Sequence, residues 1–340
     1  MTGGMALAQT NLWEEVCSFD ALCRASRRAA RGKKRVRAAA RWLADLEPAC
    51  LRLESRLRDR SWRPGKPTTF VIHDPKTRTI TAAPFGDRVV HHALMDALEP
   101  HFEARMLPHS FACRKGKGTH AAVRRARELV RAHDWLLKLD VAGFFGSLRH
   151  DVVLETLDRV VCEPRVMDLA RTIVCAHGCT VHGVPIGNLT SQWLANLVLD
   201  RLDHFVTGQV GAAGYIRYMD DFVLFGRAKS ELRAALEQVR GFLRDHLDLE
   251  LKARATTLAP AHQGLPFLGW RIYRGTTRLR PGNKKRLQAR VRARQRQYRR
   301  GALDEQRYLA SLRSASEHLR LGDTLSLRRR WLEEFAGSYP

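Results

Sequence analysis

Tyr218-Met219-Asp220-Asp221, set between the apolar runs Gly214-Tyr-Ile-Arg217 and Phe222-Val-Leu-Phe225, decides the fold. Such runs joined by a short polar turn read as a β-hairpin, with Gly214 to Tyr218 pairing with Phe222 to Phe225 around a Met-Asp-Asp turn. Two adjacent carboxylates at a hairpin tip, roughly 4–6 Å apart, raise each other's pKa unless a cation neutralises both. Mg²⁺ takes oxygen ligands and few of them from protein, so it suits such a pair. Alone, paired aspartates are better explained by a surface turn. A third acid changes the weighing. Asp140 closes the apolar strand Trp135-Leu-Leu-Lys-Leu139 and precedes Val141-Ala-Gly-Phe-Phe-Gly-Ser147. A carboxylate ending one buried strand, beside a hairpin bearing two more, can hold two metals ~3.5–4 Å apart, the arrangement for in-line phosphoryl transfer.

Composition points to a polyanionic partner. Among 340 residues, 59 Lys and Arg stand against 35 Asp and Glu, a formal net charge of +24. Excess charge of this sign favours nucleic acid. No apolar run approaches the roughly 20 residues that span a bilayer, and Met1 to Thr10 lacks a secretory apolar core. The seven cysteines are odd in number and scattered, which fits reduced thiols and a cytoplasmic setting better than a disulfide framework.

Around the hairpin the chain divides into three expected regions. Residues 1–62 form a basic helical extension, in which Leu12, Val16 and Phe19, then Leu43, Leu46, Cys50 and Leu53, recur at helical spacing. Between them the acid-free block Arg24 to Arg37 reads as a phosphate-tracking surface or a solvated helix face. Residues 63–262 open with the turn Arg63-Pro-Gly-Lys-Pro67, followed by strands Thr68 to Ile72 and Thr77 to Ala82 and a helix Asp87 to Leu98. A further helix is expected from Gly187 to Phe205. Residues 263–340 end in three helices near Asn283 to Arg300, Glu305 to Leu321 and Leu325 to Phe335. Leu287, Val291 and Tyr298 form the inward stripe of the first.

Taken in order, four segments resemble the reverse-transcriptase family, specifically its bacterial branch of diversity-generating retroelements, retrons and defence-associated enzymes. They are Leu139-Asp-Val-Ala-Gly-Phe-Phe-Gly-Ser147, Gly183-Val-Pro-Ile-Gly-Asn-Leu-Thr-Ser-Gln192, Tyr218-Met-Asp-Asp221 and Phe267-Leu-Gly-Trp270. The resemblance runs from about Trp62 to Trp270. It implies an α+β right-hand polymerase, with fingers and palm of small antiparallel sheets plus helices and a short helical thumb. The implied reaction is template-directed addition of dNTPs to a 3′-hydroxyl with two Mg²⁺ ions, for which Mn²⁺ substitutes.

Roles follow position by position. Asp140, Asp220, Asp221 and the carbonyl of Val141 are implied metal ligands. Lys252 matches a proposed proton donor to pyrophosphate, or is a solvated strand-end lysine. Lys76, Arg78, Phe145, Ile186, Gly187 and Gln192 match nucleotide-binding positions. Phe145 is the expected steric gate against a ribose 2′-hydroxyl, and its neighbour Phe144 a core residue. Ile186 replaces the glutamine of retroviral enzymes and Gln192 a frequent proline, departures that fit the diversity-generating group. Template and primer contacts are implied for Arg114, Lys115, Lys117, Tyr218, Met219, Leu268, Gly269, Lys284, Arg290 and Arg294.

Other features have plainer readings. Arg88 pairs with Asp87 or a nearby acid, and His91 and His92 are structural. Cys175, Cys179 and His182 fit no strong zinc spacing. The implied partners are an RNA template, an RNA/DNA or DNA primer, dNTPs, and an accessory protein or non-coding RNA, with no membrane. The expected setting is a diversity-generating retroelement, with antiphage defence or a retron as alternatives. A non-catalytic RNA-binding scaffold of the same fold is the rival from another class.

Overall fold

The computed structural model describes residues 11–73, 77–176 and 181–336, which gather into two compact units. The first unit contains the described residues up to Pro108 together with Val141–His204 and Arg240–Leu251; the second contains His109–Asp140, Phe205–Val239 and the described residues from Lys252 onward.

In the first unit the N-terminal region folds as helices Leu12–Cys17, Phe19–Ala29, Arg37–Ala44 and Leu46–Arg58. Asn11 caps the first of them, its side chain accepting from the Glu14 amide. The basic block is therefore not one helical face. It breaks after Ala29, where the chain turns through Gly32 at φ +71°. Helix Phe19–Ala29 buries Ala21, Leu22, Ala25 and Ala29 and packs on helix Phe85–Arg105. The expected stripe Val89, Val90, Ala93, Leu94 and Ala97 is buried there. Across this contact Arg28 pairs with Asp96 at 2.5 Å. Among the described residues Arg88 reaches no acid. It donates to the Ala29 carbonyl at 3.1 Å, while Asp87 accepts from the Gly65 amide. His91 is buried, and burial holds His92 down to about 4, so its ring is neutral at pH 7.

Strands β1 (Thr68–Ile72) and β2 (Arg78–Ala82) form an antiparallel ladder. The short helix Phe144–Ser147 and helices His150–Asp158, Pro164–Val174 and Leu189–Phe205 complete the unit. The last was expected from Gly187, but Gly187 sits at φ +117°, outside the helical region. A Cβ there would lie 2.9 Å from the Ile80 side chain, so glycine is needed both for the turn and for the approach of β2.

The second unit is built on an antiparallel sheet of order β4-β5-β3-β6: Trp135–Asp140 (β3), Gly214–Tyr218 (β4), Asp221–Gly226 (β5) and Thr257–Pro260 (β6). Helix Thr119–Ala132 turns Ala122, Val123, Ala126, Leu129 and Val130 into a core shared with Leu136, Ile216, Val223 and Phe225. The roughly 3.6-residue period of the helix meets the period of two in the strands. A second sheet, β7-β8-β9 (Leu265–Phe267, Trp270–Ile272 and Thr277–Leu279), adds Phe267 and Trp270 to that core. Helix Lys229–Leu247 begins in this unit and ends in the first.

The three C-terminal helices run Pro281–Arg299, Glu305–Leu319 and Leu325–Ala336. Leu287 and Val291 are buried with Ala315, Leu319 and Trp331, and Tyr298 stacks on Tyr308 at 4.9 Å. Gly322 carries a stringent packing constraint. A Cβ there would stand 2.3 Å from the Trp270 ring and 2.6 Å from the Thr277 carbonyl oxygen. Gly322→Ala is therefore expected to cost about 3 kcal/mol through overpacking. A lowered urea midpoint with unchanged slope would register it, and an unchanged midpoint would contradict this packing. No helix among the described residues is long and apolar enough to cross a membrane.

Candidate active site

The register of β3 against β5 pairs Asp140 with Asp221 directly. Directly paired antiparallel residues share a face, so the two carboxylates leave the same side of the sheet. Asp221 belongs to the strand, which corrects its expected place in the turn: Tyr218 pairs with Asp221, leaving a two-residue turn of Met219 and Asp220. Met219 takes the left-handed conformation at φ +55°, a cost of roughly 1–2 kcal/mol for a residue with a side chain. Arg217, fully buried in β4, donates to the Met219 carbonyl at 3.3 Å and braces this strained turn.

Lys138 was not anticipated as part of the site. It lies two residues before Asp140, hence on the same face of β3, and its ammonium engages the Asp221 carboxylate. It also stands 5.7 Å from the centre of the Phe267 ring. Burial pushes the Asp221 carboxyl upward, the Lys138 charge pulls it back, and Asp140 and Asp220 raise it again. The strand period alone marks Lys138, since a lysine inside Trp-Leu-Leu-Lys-Leu shares its side with Asp140.

Among the described residues no three His, Cys, Asp or Glu side chains are drawn into a ready metal cluster. The donor set nevertheless fits a divalent cation in kind. It offers hard oxygen ligands on register-paired positions, and mutual repulsion at Asp221 that Lys138 relieves with a single charge. Asp140, Asp220 and Asp221 would hold such an ion.

The second unit brings further residues to this sheet. Lys252 donates its backbone N–H to the Asp140 carbonyl at 2.8 Å, so the residue expected near pyrophosphate stands beside the first acid. The loop bearing Arg114, Lys115 and Lys117 is tied to β4: the Phe111 amide donates to the Arg217 carbonyl, and the Tyr218 hydroxyl lies 3.2 Å from that of Thr119. Lys117 covers the Phe111 ring at 4.8 Å, Arg114 donates to the Ser110 carbonyl, and Lys115 is exposed. Leu268 and Gly269 form the β7–β8 turn, both at positive φ. The Gly269 carbonyl accepts from the Arg280 amide and anchors the helix on which half-buried Lys284 and exposed Arg290 and Arg294 lie.

The residues expected to bind the nucleotide belong to the first unit. Phe144 is buried, whereas Phe145 is half-buried and its carbonyl accepts from the Val184 amide at 2.8 Å. Ile186 accepts from the Thr81 amide at 3.0 Å, which joins the Ile186-Gly187 turn to β2, where exposed Arg78 begins the strand. Gln192 is half-buried on helix Leu189–Phe205. Val141 is buried and bridges Leu251. Lys76 and Cys179 lie outside the described residues, and His182 stands 3.7 Å from Asp248.

Acids on adjoining ends of two paired strands, one of them next to a braced two-residue turn, form the arrangement expected of a polymerase palm. Comparison with known proteins narrows the class. Residues 66–272 match the model of the family described as reverse transcriptase (RNA-dependent DNA polymerase), and the chain belongs to that family. It is similar to protein YkfC of Escherichia coli K12, with 26% identity over 247 residues, 60% of this chain and 65% of YkfC. It is also similar to the group II intron-encoded protein LtrA of Lactococcus lactis, at 21% over 282 residues, covering 62% and 47%. The chain thus spans less than two thirds of these curated relatives. A truncated apo telomerase from Candida tropicalis shares the fold, with a TM-score of 0.51 at 10% identity over 66% of this chain and 58% of that one. The α+β polymerase fold and the family expected from the four motifs both stand.

Proposed function

We propose that this chain extends a primer 3′-end with dNTPs by copying an RNA template. The observation that carries the reading is the pairing of Asp140 with Asp221, with Asp220 beside it on a strained turn. Divalent ions bound there would activate the primer hydroxyl and neutralise the triphosphate. The protein's own part is positional. Asp140, Asp220 and Asp221 supply the charge that recruits the ions, and Lys252 is the candidate proton donor to departing pyrophosphate. Arg78, with Lys76, grips the β- and γ-phosphates as a guanidinium fork and an ammonium. The bases of the Arg114–Lys117 loop and of helix Pro281–Arg299 follow template and primer phosphates, which carry no sequence information. Primer extension on an RNA template with Mg²⁺ and dNTPs tests the reading. No product, under conditions where a known reverse transcriptase works, would leave an RNA-binding scaffold.

Phe145 supplies the sugar discrimination. Phe145→Ala is expected to raise the NTP-to-dNTP ratio of kcat/KM by roughly tenfold or more, because removing a ring opens space for one hydroxyl. Single-nucleotide incorporation measures this, and an unchanged ratio would exclude Phe145 as the gate.

For the biological setting, Met219, Ile186 and Gln192 support a diversity-generating retroelement that copies RNA with errors at adenines alongside an accessory protein. The similarity to the group II intron-encoded protein LtrA favours a second reading, an intron-encoded reverse transcriptase. The neighbouring genome separates them. A near-duplicate repeat pair differing at adenines belongs to the first, a flanking ribozyme to the second.

A further inference from the structure

The first unit holds a cavity of about 270 Å³ that shares no residue with the polymerase site. Its floor is apolar: Trp13, Leu57, Trp62 and Leu169 line it and are all buried. Its rim is cationic. Arg56, Arg60, Arg63, Arg165 and Arg171 line it and are exposed, against one acid, Asp168, which stands 3.9 Å from Arg60. The surrounding backbone is fixed before any ligand arrives. Arg63 donates to the carbonyls of both Arg60 and Trp62 at 2.7 Å, and Arg60 is held at φ +59°. On the opposite wall the Trp13 amide donates to Glu163, which ties helix Leu12–Cys17 to helix Pro164–Val174.

The indole N–H of Trp13 is buried and, among the described residues, has no hydrogen-bond partner. Buried donors without acceptors are rare and call for an explanation. Here the orphan donor belongs to a side chain lining a cavity, beside an apolar floor and below a surplus of guanidinium groups. A ligand that answers all three features has a flat apolar body, an acceptor on that body and an anionic end. We propose that the cavity binds one phosphorylated nucleoside, its base against Trp13 and Trp62 and its phosphate among the rim arginines. Base–indole contact and guanidinium–phosphate pairing are the two interactions that combine in nucleotide sites. The volume lies at the low end for ligand pockets and suits one nucleotide, not a duplex. That nucleotide is either free or the 5′-phosphorylated end of a single strand, since both present the same chemistry.

Equilibrium dialysis of the full chain without divalent ions tests this, with AMP, inorganic phosphate, and short oligonucleotides with and without a 5′-phosphate as probes. AMP is expected to bind more tightly than inorganic phosphate. Arg165→Ala combined with Arg171→Ala, both changes on exposed side chains, is expected to weaken AMP at least about tenfold. Trp13→Phe keeps a ring and removes the N–H, so it weakens AMP roughly threefold or more and leaves inorganic phosphate unchanged. Arg78→Ala, on the polymerase nucleotide side, leaves AMP binding intact. A 5′-phosphorylated oligonucleotide that outcompetes its 5′-hydroxyl twin identifies a strand end as the source, and AMP binding alone identifies a free nucleotide. The proposal is overturned if neither AMP nor the phosphorylated oligonucleotide binds, or if AMP binds no better than phosphate. It also falls if both oligonucleotides bind alike without AMP competition, or if binding is lost in Arg78→Ala but kept in the double arginine variant.

Discussion

Asp220→Asn is expected to reduce primer extension by at least about a thousandfold while RNA affinity changes only a few-fold. The substitution keeps shape and hydrogen-bonding capacity and removes one charge from the turn beside the Asp140–Asp221 pair. Removing a ligand charge damages a step that depends on electrostatic stabilisation, whereas template affinity is expected to rest on basic residues elsewhere in the chain. The folded state should be undisturbed, because Met219 and not Asp220 takes the left-handed conformation, and Arg217 braces Met219 through its main-chain carbonyl. Extension assays paired with filter binding read both quantities. Surviving activity would remove Asp220 from the metal-binding set, and a parallel collapse of RNA affinity would indicate that the palm itself had unfolded.

The parts of this centre that could be read from sequence are those that local periodicity encodes. Trp135 to Leu139 announces a buried strand, and the runs flanking Met219 and Asp220 announce a hairpin. Both exist, and Asp140 ends the first of them as expected. What escaped is set by pairing across long separations. Asp221 is a strand residue because its partners are Tyr218 and Asp140, a register that no local pattern fixes. Buried Arg217 runs against the usual preference of arginine for the surface, and the turn it braces gives it a role there. The link from Lys252 to Asp140 is a backbone hydrogen bond between residues far apart in the chain. The three- and four-residue strands β6 to β9 are too short to display any period. The indole-floored cavity was illegible for the same reason, since its walls come from helices separated by roughly a hundred residues.

The Lys138–Asp221 pair leads to the second large effect. Lys138 is mostly shielded, its ammonium meets the Asp221 carboxylate, and both neighbouring acids repel that carboxylate. Without a divalent ion, Lys138→Met leaves a largely buried negative charge beside two others. Breaking a fully buried pair costs about 3–5 kcal/mol; the partial exposure of both side chains here reduces the expected loss to about 1–3 kcal/mol. A bound divalent cation would restore the missing charge, so Mg²⁺ should stabilise Lys138→Met more than wild type. Linkage gives the sign, because a ligand that binds only the folded state raises stability with its concentration. The same lysine would compete with such an ion for Asp221. The Mg²⁺ concentration giving half-maximal extension should therefore fall several-fold in the variant, while the rate at saturating Mg²⁺ stays within about tenfold of wild type. Urea denaturation at two Mg²⁺ concentrations and a Mg²⁺ titration of extension measure the two effects separately. Equal Mg²⁺ stabilisation of both proteins would mean that Lys138 does not stand in for the cation. Complete inactivity at every Mg²⁺ concentration would instead give its ammonium a direct part in the reaction.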